Sequence, residues 1–215
     1  MNILITGANG FLGSSILKEI DKKNNNVAIL VREKSNIKKI NNLLKNVVIY
    51  KFSELHQIDK LLSSFRPDVI IHTACCYDRG DASKEEIYSA NYYYGKTIIE
   101  SILKNEKKTY FLNAASSMPE ELNLYTESKQ KFSKYCLSMI DNKNLFFINV
   151  VIQFFYGKHD KKTSFVMNLI RACISGEKKF NLTSGKQKRD FVHIDDVISA
   201  YLVILKKLDI LKNNS

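Results

Sequence analysis

The stretch Thr6-Gly7-Ala8-Asn9-Gly10-Phe11-Leu12-Gly13 holds three glycines and separates two regular segments near the start of the chain. The apolar run Asn2–Thr6 before it is typical of a buried strand. The stretch after it is amphipathic and predicts a helix from about residue 10 to residue 22. The quoted stretch is therefore a glycine-rich turn between a strand and a helix.

Each glycine of this turn has a predicted physical role. Gly7 permits the tight turn, Gly10 allows a pyrophosphate to approach the backbone, and Gly13 allows the helix to pack closely on the strand. The unpaired N–H groups and the dipole at the start of the helix favour a phosphate there. The turn predicts a dinucleotide-binding site, with further cofactor contacts from Asn9, Phe11 and Leu12.

The remaining sequence alternates strand-like and helix-like segments. Strands are predicted at Asn2–Thr6, Val27–Arg32, Val47–Lys51, Asp68–Thr73, Thr109–Asn113 and Leu145–Ile152. Helices are predicted at about Gly10–Lys22, Asn36–Leu44, Leu55–Phe65, Lys84–Lys104 and Tyr125–Asp141. This alternation predicts an α/β fold, a Rossmann-type doubly wound parallel sheet over residues 1–152.

The second part of the chain is less regular. We expect residues 153–215 to form a small substrate-side lobe, interleaved with the main domain, in which 153–190 is irregular and a last helix covers about Asp195–Lys207.

The second predicted strand ends at Arg32, where an NAD-specific domain usually has an acidic residue that holds the ribose hydroxyls. A guanidinium suits a 2′-phosphate through bidentate, charge-assisted hydrogen bonds, so NADP is favoured while NAD stays possible. In the alternative interpretation Arg32 is a solvated strand end and Glu33 reaches the ribose.

Composition limits the other classes of function. Of 215 residues, 33 are basic and 22 acidic, which gives a net charge of +11, but the lysines are scattered rather than grouped in a basic block. We therefore expect neither nucleic-acid binding nor membrane insertion. The amino terminus shows no signal-type segment, which predicts a cytoplasmic protein. Four cysteines lack the spacing of a metal site, so no metal is expected.

Several separated motifs together resemble the extended short-chain dehydrogenase/reductase family, in its NAD-dependent epimerase/dehydratase group. Besides the glycine turn they are Ile71-His72-Thr73-Ala74, Asn91, Tyr125-Thr126-Glu127-Ser128-Lys129 and Arg189-Asp190-Phe191-Val192-His193-Ile194-Asp195-Asp196. The resemblance implies cofactor contacts from Thr73, Ala74, Asn91, Tyr125 and Lys129. Cys75 and Cys76 are expected to pack near the cofactor pocket.

The chemistry that the resemblance implies centres on Tyr125. Reduction of a ketone creates an alkoxide that needs a proton donor, and a phenol can serve if its high pKa is lowered. Lys129 lies four residues later on one helix face and is predicted to favour the phenolate and to hold the cofactor ribose. Ser116 is predicted to hydrogen-bond the reacting oxygen, although the adjacent Ser117 could substitute.

The motifs also favour one reaction over others. The 4,6-dehydratases of the family follow the serine or threonine with an Asp–Glu pair, whereas Ser117 and Met118 stand here. The short loop from Ser116 to Tyr125 is similar to that of CDP-abequose synthase-type reductases. This implies NADPH-dependent reduction of the 4-keto group of a CDP- or dTDP-linked 6-deoxyhexose, in the synthesis of surface polysaccharides such as lipopolysaccharide O antigen.

Two alternatives remain open, a nucleotide-sugar 4-epimerase with tightly bound NAD and a non-catalytic NADP-sensing protein. In each enzymatic case the partner is a nucleotide sugar, for which Ser117, Gln153 and Arg189 are candidate ligands. Members of the family commonly continue beyond the position of Leu211, so we expect an incomplete substrate lobe. Packing of the two long helices of each chain predicts a homodimer.

Overall fold

The computed structural model describes residues 1–78, 82–105, 107–160 and 164–213, with the backbone alone for 211–213. It divides into two compact units, Met1–Val151 and Ile152–Ser215. The functional division into a cofactor-binding domain and a substrate-side lobe stays a prediction.

The first unit contains a six-stranded sheet in the order β3-β2-β1-β4-β5-β6. The strands are β1 (Asn2–Thr6), β2 (Asn26–Arg32), β3 (Val47–Phe52), β4 (Val69–His72), β5 (Thr109–Ser116) and β6 (Leu145–Ile152). Four neighbouring pairs, β3–β2, β2–β1, β1–β4 and β4–β5, are parallel. The predicted Rossmann-type sheet is confirmed.

Helices cover the sheet, which buries β4 completely and β1 and β2 almost completely. They are α1 (Phe11–Glu19), α2 (Gln57–Phe65), α3 (Lys84–Tyr88), α4 (Tyr94–Lys104) and α5 (Leu124–Leu137). The carboxyl ends of β1, β4 and β5 lie side by side at one edge of the sheet. The chain places β2 and β3 on one side of β1 and then crosses back to place β4, β5 and β6 on the other side, so this edge contains the point at which the strand order reverses.

Two helix predictions for the first unit were wrong in detail. The segment predicted as a helix at Asn36–Leu44 is a 3-10 helix at Lys38–Leu43. The helix predicted at Lys84–Lys104 is interrupted by a π-helical turn at Ser89–Tyr93, between α3 and α4. Such turns contain an inserted residue and are common at functional sites.

The second unit is more regular than predicted. It contains α6 (Phe165–Ser175), α7 (Ile194–Asn213) and a pair of short parallel strands, β7 (Phe154–Tyr156) and β8 (Phe191–His193). Among the described residues, no helix combines the length and the apolar character needed to cross a bilayer.

Candidate functional site

The glycine turn between β1 and α1 is shaped by close backbone contacts. Gly7 has φ of +68°, and a Cβ at this position would lie 2.5 Å from the Ala74 backbone nitrogen. A Cβ on Gly13 would lie 2.7 Å from Thr73 Oγ1 and closer still to the Gly7 carbonyl oxygen. Both glycines are therefore required by the packing of the turn against the segment that follows β4.

Gly10 has a different environment. Its N–H donates to the Gly7 carbonyl at 2.9 Å, and an added Cβ would meet that same oxygen at 3.2 Å. No side chain caps α1 at Gly10, and its first turn carries no acidic residue. The start of α1 thus keeps the electrostatic character that favours an anionic group.

The segment after β4 is attached to the end of β1 through Thr6. The hydroxyl of Thr73 donates to the Thr6 carbonyl at 2.7 Å, and Thr6 Oγ1 accepts a hydrogen bond from the Ala74 N–H at 3.4 Å. Thr6 Oγ1 also lies 2.9 Å from His72 Nδ1. Burial, together with the nearby Lys129 ammonium, lowers the pKa of His72 to about 3, so His72 is a neutral structural group.

Asn91 lies in the π-helical turn and links three segments. Its Oδ1 accepts from the Cys76 N–H at 2.7 Å, and its Nδ2 donates to the Cys76 carbonyl at 2.9 Å and to Ser128 Oγ at 3.0 Å. The Asn91 side chain is fully buried, and both of its N–H groups are used inside the protein. The structure therefore places Asn91 as a clamp on the segment after β4, and a cofactor contact by it stays a prediction.

Local capping fixes the start of α5. Asn123 accepts from the Thr126 N–H at 2.9 Å, and Thr126 Oγ1 accepts from the Asn123 N–H at 3.1 Å. Gln130 then donates to the carbonyls of Ser116 and Met118, each at 3.1 Å. Tyr125 stands in the first turn of this anchored helix, beside the end of β5.

The environment of Tyr125 contradicts one prediction. Burial, followed by the proximity of Cys75 and Tyr77, raises the pKa of Tyr125 well above its ordinary value. The expected lowering by Lys129 was wrong, because desolvation disfavours the phenolate and Lys129 does not contribute among the causes. Tyr125 is therefore neutral at physiological pH.

Lys129 is 2% exposed and carries no hydrogen bond or ion pair to any of the described residues. Its burial lowers its pKa, while the nearby thiols of Cys75 and Cys136 act in the opposite direction. A charged amine is stable at such a position only when solvent or a bound group satisfies its hydrogen bonds. The side chain is thus available to bind an additional group.

The two serine candidates lie at the end of β5 and directly after it. Ser116 Oγ accepts from the Met118 N–H at 3.2 Å, which orients its hydroxyl, while both Ser116 and Ser117 are half-buried. The structure brings Ser116, Tyr125 and Lys129 to the same end of the sheet. The choice between Ser116 and Ser117 stays open.

At the end of β2, Arg32 is exposed. Glu33 lies 3.5 Å from Lys51 Nζ in an exposed ion pair, which offers it a partner inside the protein. The arrangement leaves the guanidinium of Arg32 accessible to an anionic ligand.

The substrate candidates of the second unit are both exposed. Gln153 lies between β6 and β7. The guanidinium of Arg189 stacks 4.8 Å from the centre of the Phe154 ring, a cation–π arrangement.

A cavity of about 590 Å³ opens beside the start of α5. Its lining is acidic and consists of Asp78, Glu120, Glu121, Asn123, Leu124 and Glu127. Sequence reasoning missed this cavity and also missed Tyr77, whose ring is stacked on Tyr125 at 4.8 Å. The only signal for Tyr77 was its position directly after the Ile71–Ala74 motif.

A family model for the NAD dependent epimerase/dehydratase family matches residues 3–214. The chain belongs to this family. It is an NAD(P)-dependent enzyme of the extended short-chain dehydrogenase/reductase type, and the resemblance stated from the motifs is confirmed.

Individual relatives within the epimerase/dehydratase family are distant. CDP-abequose synthase from Salmonella muenchen is 28% identical over 212 residues, covering 95% of this chain and 70% of the relative. A UDP-glucose 4-epimerase with UDP-glucose from Thermotoga maritima has a TM-score of 0.81 at 20% identity, covering 95% of this chain and 73% of the other. A UDP-glucuronic acid 4-epimerase from Bacillus cereus in complex with NAD has a TM-score of 0.77 at 21% identity, covering 96% of this chain and 74% of the other. The two solved structures show the shared fold.

Proposed function

We propose that this enzyme uses NADPH to reduce the 4-keto group of a CDP- or dTDP-linked 6-deoxyhexose. The observation that carries the proposal is a neutral, half-buried Tyr125 on the same anchored helix as the buried Lys129, beside the carboxyl end of β5. The similarity to CDP-abequose synthase over 95% of the chain supports a nucleotide-linked sugar as the substrate.

The residues of the first unit fit a dinucleotide. The positive φ of Gly7 and the uncapped start of α1 suit a pyrophosphate. The buried ammonium of Lys129 suits the hydroxyls of a ribose, which would supply the hydrogen bonds that it lacks. The backbone next to Thr73 and Ala74 closes the other side of this cradle.

Tyr125 acts as the general acid in this proposal. A reduced nicotinamide, when bound in this cradle, would supply the hydride for the carbonyl carbon. The Tyr125 hydroxyl donates its proton to the carbonyl oxygen as that oxygen becomes an alkoxide, and Ser116 donates a hydrogen bond to the same oxygen. Lys129 holds the cofactor ribose in this proposal and is not needed to set the charge of Tyr125.

The preference for NADPH rests on Arg32. Its exposed guanidinium at the end of β2 can form bidentate hydrogen bonds with a 2′-phosphate, while Glu33 has an ion-pair partner in Lys51. Glu33, which could otherwise hold the ribose hydroxyls of NAD, is thus paired with Lys51.

Further parts of the proposal concern the substrate and its context. Ser117, Gln153 and Arg189 are the proposed contacts to the nucleotide sugar, with Arg189 placed to attract its diphosphate. We propose that the enzyme acts in the cytoplasm as a homodimer, in the synthesis of surface polysaccharide.

The test is a product analysis with purified enzyme. A CDP- or dTDP-4-keto-6-deoxyhexose should be reduced with consumption of one equivalent of NADPH, followed by its absorbance, and a Tyr125→Phe variant should be inactive. Interconversion of 4-epimers with co-purified NAD and without net cofactor oxidation would replace the reductase by an epimerase. Tight NADPH binding without turnover of any ketosugar would favour a sensor.

A further inference from the structure

The ring of Tyr77 lies almost parallel to the ring of Tyr125. Their centres are 4.8 Å apart and the planes are inclined by 21°, the geometry of an offset stack. Tyr77 therefore covers one face of the phenol that donates the proton in the proposed reaction. Water is excluded from that face.

The position of Tyr77 is fixed by the segment that carries it. Thr73 and Ala74 are hydrogen-bonded to Thr6, and the N–H and the carbonyl of Cys76 are both held by the Asn91 side chain. Tyr77 directly follows this clamp. The stack on Tyr125 is thus built on a segment anchored to both β1 and the π-helical turn.

Tyr77 is also among the groups that raise the pKa of Tyr125, after burial and Cys75. A neutral ring stacked on the phenol takes the place of water that would otherwise solvate the phenolate, so it disfavours ionisation of Tyr125.

We propose that Tyr77 is a positioning residue that keeps Tyr125 in the neutral, proton-donating form and so biases the site toward reduction of a carbonyl. This inference rests on the proposed function, in which Tyr125 is the general acid. Reduction needs a protonated Tyr125 at its start, whereas oxidation of an alcohol, the first step of an epimerase, needs the phenolate. A Tyr77 ring stacked on the phenol favours the first of these states.

Other groups close to Tyr125 act in both directions. Cys75, from the segment after β4, disfavours the phenolate, and its electrostatic effect exceeds that of Tyr77. Lys129 would favour the phenolate, but it is buried with a lowered pKa. The acidic groups near the start of α5 are Asp78, Glu120, Glu121 and Glu127, of which Glu120 pairs with Lys134 and Glu127 with Lys131.

The test measures the ionisation of Tyr125 without substrate or cofactor. The ultraviolet absorbance of tyrosinate is followed from about pH 8 to about pH 12. The titration is recorded for the wild type, for Tyr77→Phe and for Tyr77→Leu. Each protein is also titrated with Tyr125→Phe added, and the difference between the two absorbance curves is the ionisation of Tyr125. Tyr110→Leu is the matched control, because Tyr110 is a half-buried tyrosine near the start of β5 whose ring packs against Phe146.

In the wild type we expect Tyr125 to stay neutral until well above pH 10, where an ordinary tyrosine is half ionised. Tyr77→Leu removes both the ring and the hydroxyl, and should lower the pKa of Tyr125 by about one unit or more. Tyr77→Phe keeps the ring and should give a smaller shift in the same direction, which preserves the test if the leucine variant fails to fold. Tyr110→Leu should cause no shift.

Coincident Tyr125 titrations in the wild type and in both Tyr77 variants would overturn the inference, as would an equal shift in Tyr110→Leu. The alkaline limb of the pH profile of kcat/KM for ketosugar reduction should move with the titration. A shifted titration in an enzyme that reduces no ketosugar would refute the proposed function alone. Reduction with unshifted titrations would refute the role of Tyr77 alone.

Discussion

Gly95, at the start of α4, offers a sharp test of the packing that supports the site. A Cβ at this position would lie 2.6 Å from Cε2 and 2.9 Å from Cε1 of Phe132 in α5, and closer still to Cζ. The Phe132 ring is fully buried, with His72 at 5.4 Å and Phe111 at 6.0 Å between centres, so it has little room to yield. Gly95→Ala should therefore overpack the contact between α4 and α5.

The magnitude is the difference of two effects. Overpacking costs about 1–3 kcal/mol. Replacement of glycine by alanine inside a helix gains about 1 kcal/mol. We expect Gly95→Ala to lower the free energy of unfolding by up to about 2 kcal/mol.

A Phe132→Leu background supplies the control. Leucine lacks the three ring atoms that the new Cβ meets, so there Gly95→Ala should be neutral or stabilising by up to about 1 kcal/mol. The assay is urea unfolding followed by circular dichroism, with the free energies combined in a double-mutant cycle. An equal change in the free energy of unfolding in both backgrounds would refute the steric reasoning.

The other predictions concern the chemistry of the site. Tyr125→Phe should lower kcat about 10²–10⁴-fold while the Kd for NADPH, measured by fluorescence titration, changes little, because a proton donor is lost and the binding surface is kept. Arg32→Asp should reduce the ratio of kcat/KM for NADPH to that for NADH by about tenfold or more, and an unchanged ratio would remove Arg32 from cofactor recognition. Because the pKa of His72 is about 3 in the folded chain and about 6.5 in the unfolded chain, the unfolded state binds a proton first as the pH falls. Stability should drop by up to about 1.4 kcal/mol per pH unit below about pH 6.5, and His72→Gln should flatten this slope in unfolding experiments.

Local patterns were sufficient to predict the sheet and the glycine turn. The run Asn2–Thr6 was predicted with its observed bounds, since an apolar strand followed by glycines has few alternative conformations. The 3-10 helix at Lys38–Leu43 was predicted as an α-helix, because apolar residues three and four apart fit either geometry over so short a segment. The π-helical turn was not predicted, because it leaves no periodic pattern of apolar residues that a single sequence could reveal.

The ionisation of the site lay beyond sequence reasoning for a tertiary cause. The spacing of Tyr125 and Lys129 predicted one helix face, but the pKa of Tyr125 depends on its burial and on Tyr77 and Cys75, which come from a different segment. The spacing of two residues along a helix gives the distance between them, but it does not show how far either side chain is exposed to water. The predicted direction of the pKa shift of Tyr125 was therefore wrong, although the structure does bring Tyr125 and Lys129 to the same end of the sheet.

The π-helical turn makes the clamp by Asn91 a matter of residue count. One extra residue is accommodated between α3 and α4, and each residue of an α-helix rotates the next by about 100°. Loss of a single residue from Ser89–Tyr93 would turn Asn91 away from Cys76 while α4 kept its own buried face. Substitutions elsewhere could not repair such a loss, so the geometry around Tyr77 and Tyr125 depends on the number of residues in this turn as well as on the side chain of Asn91.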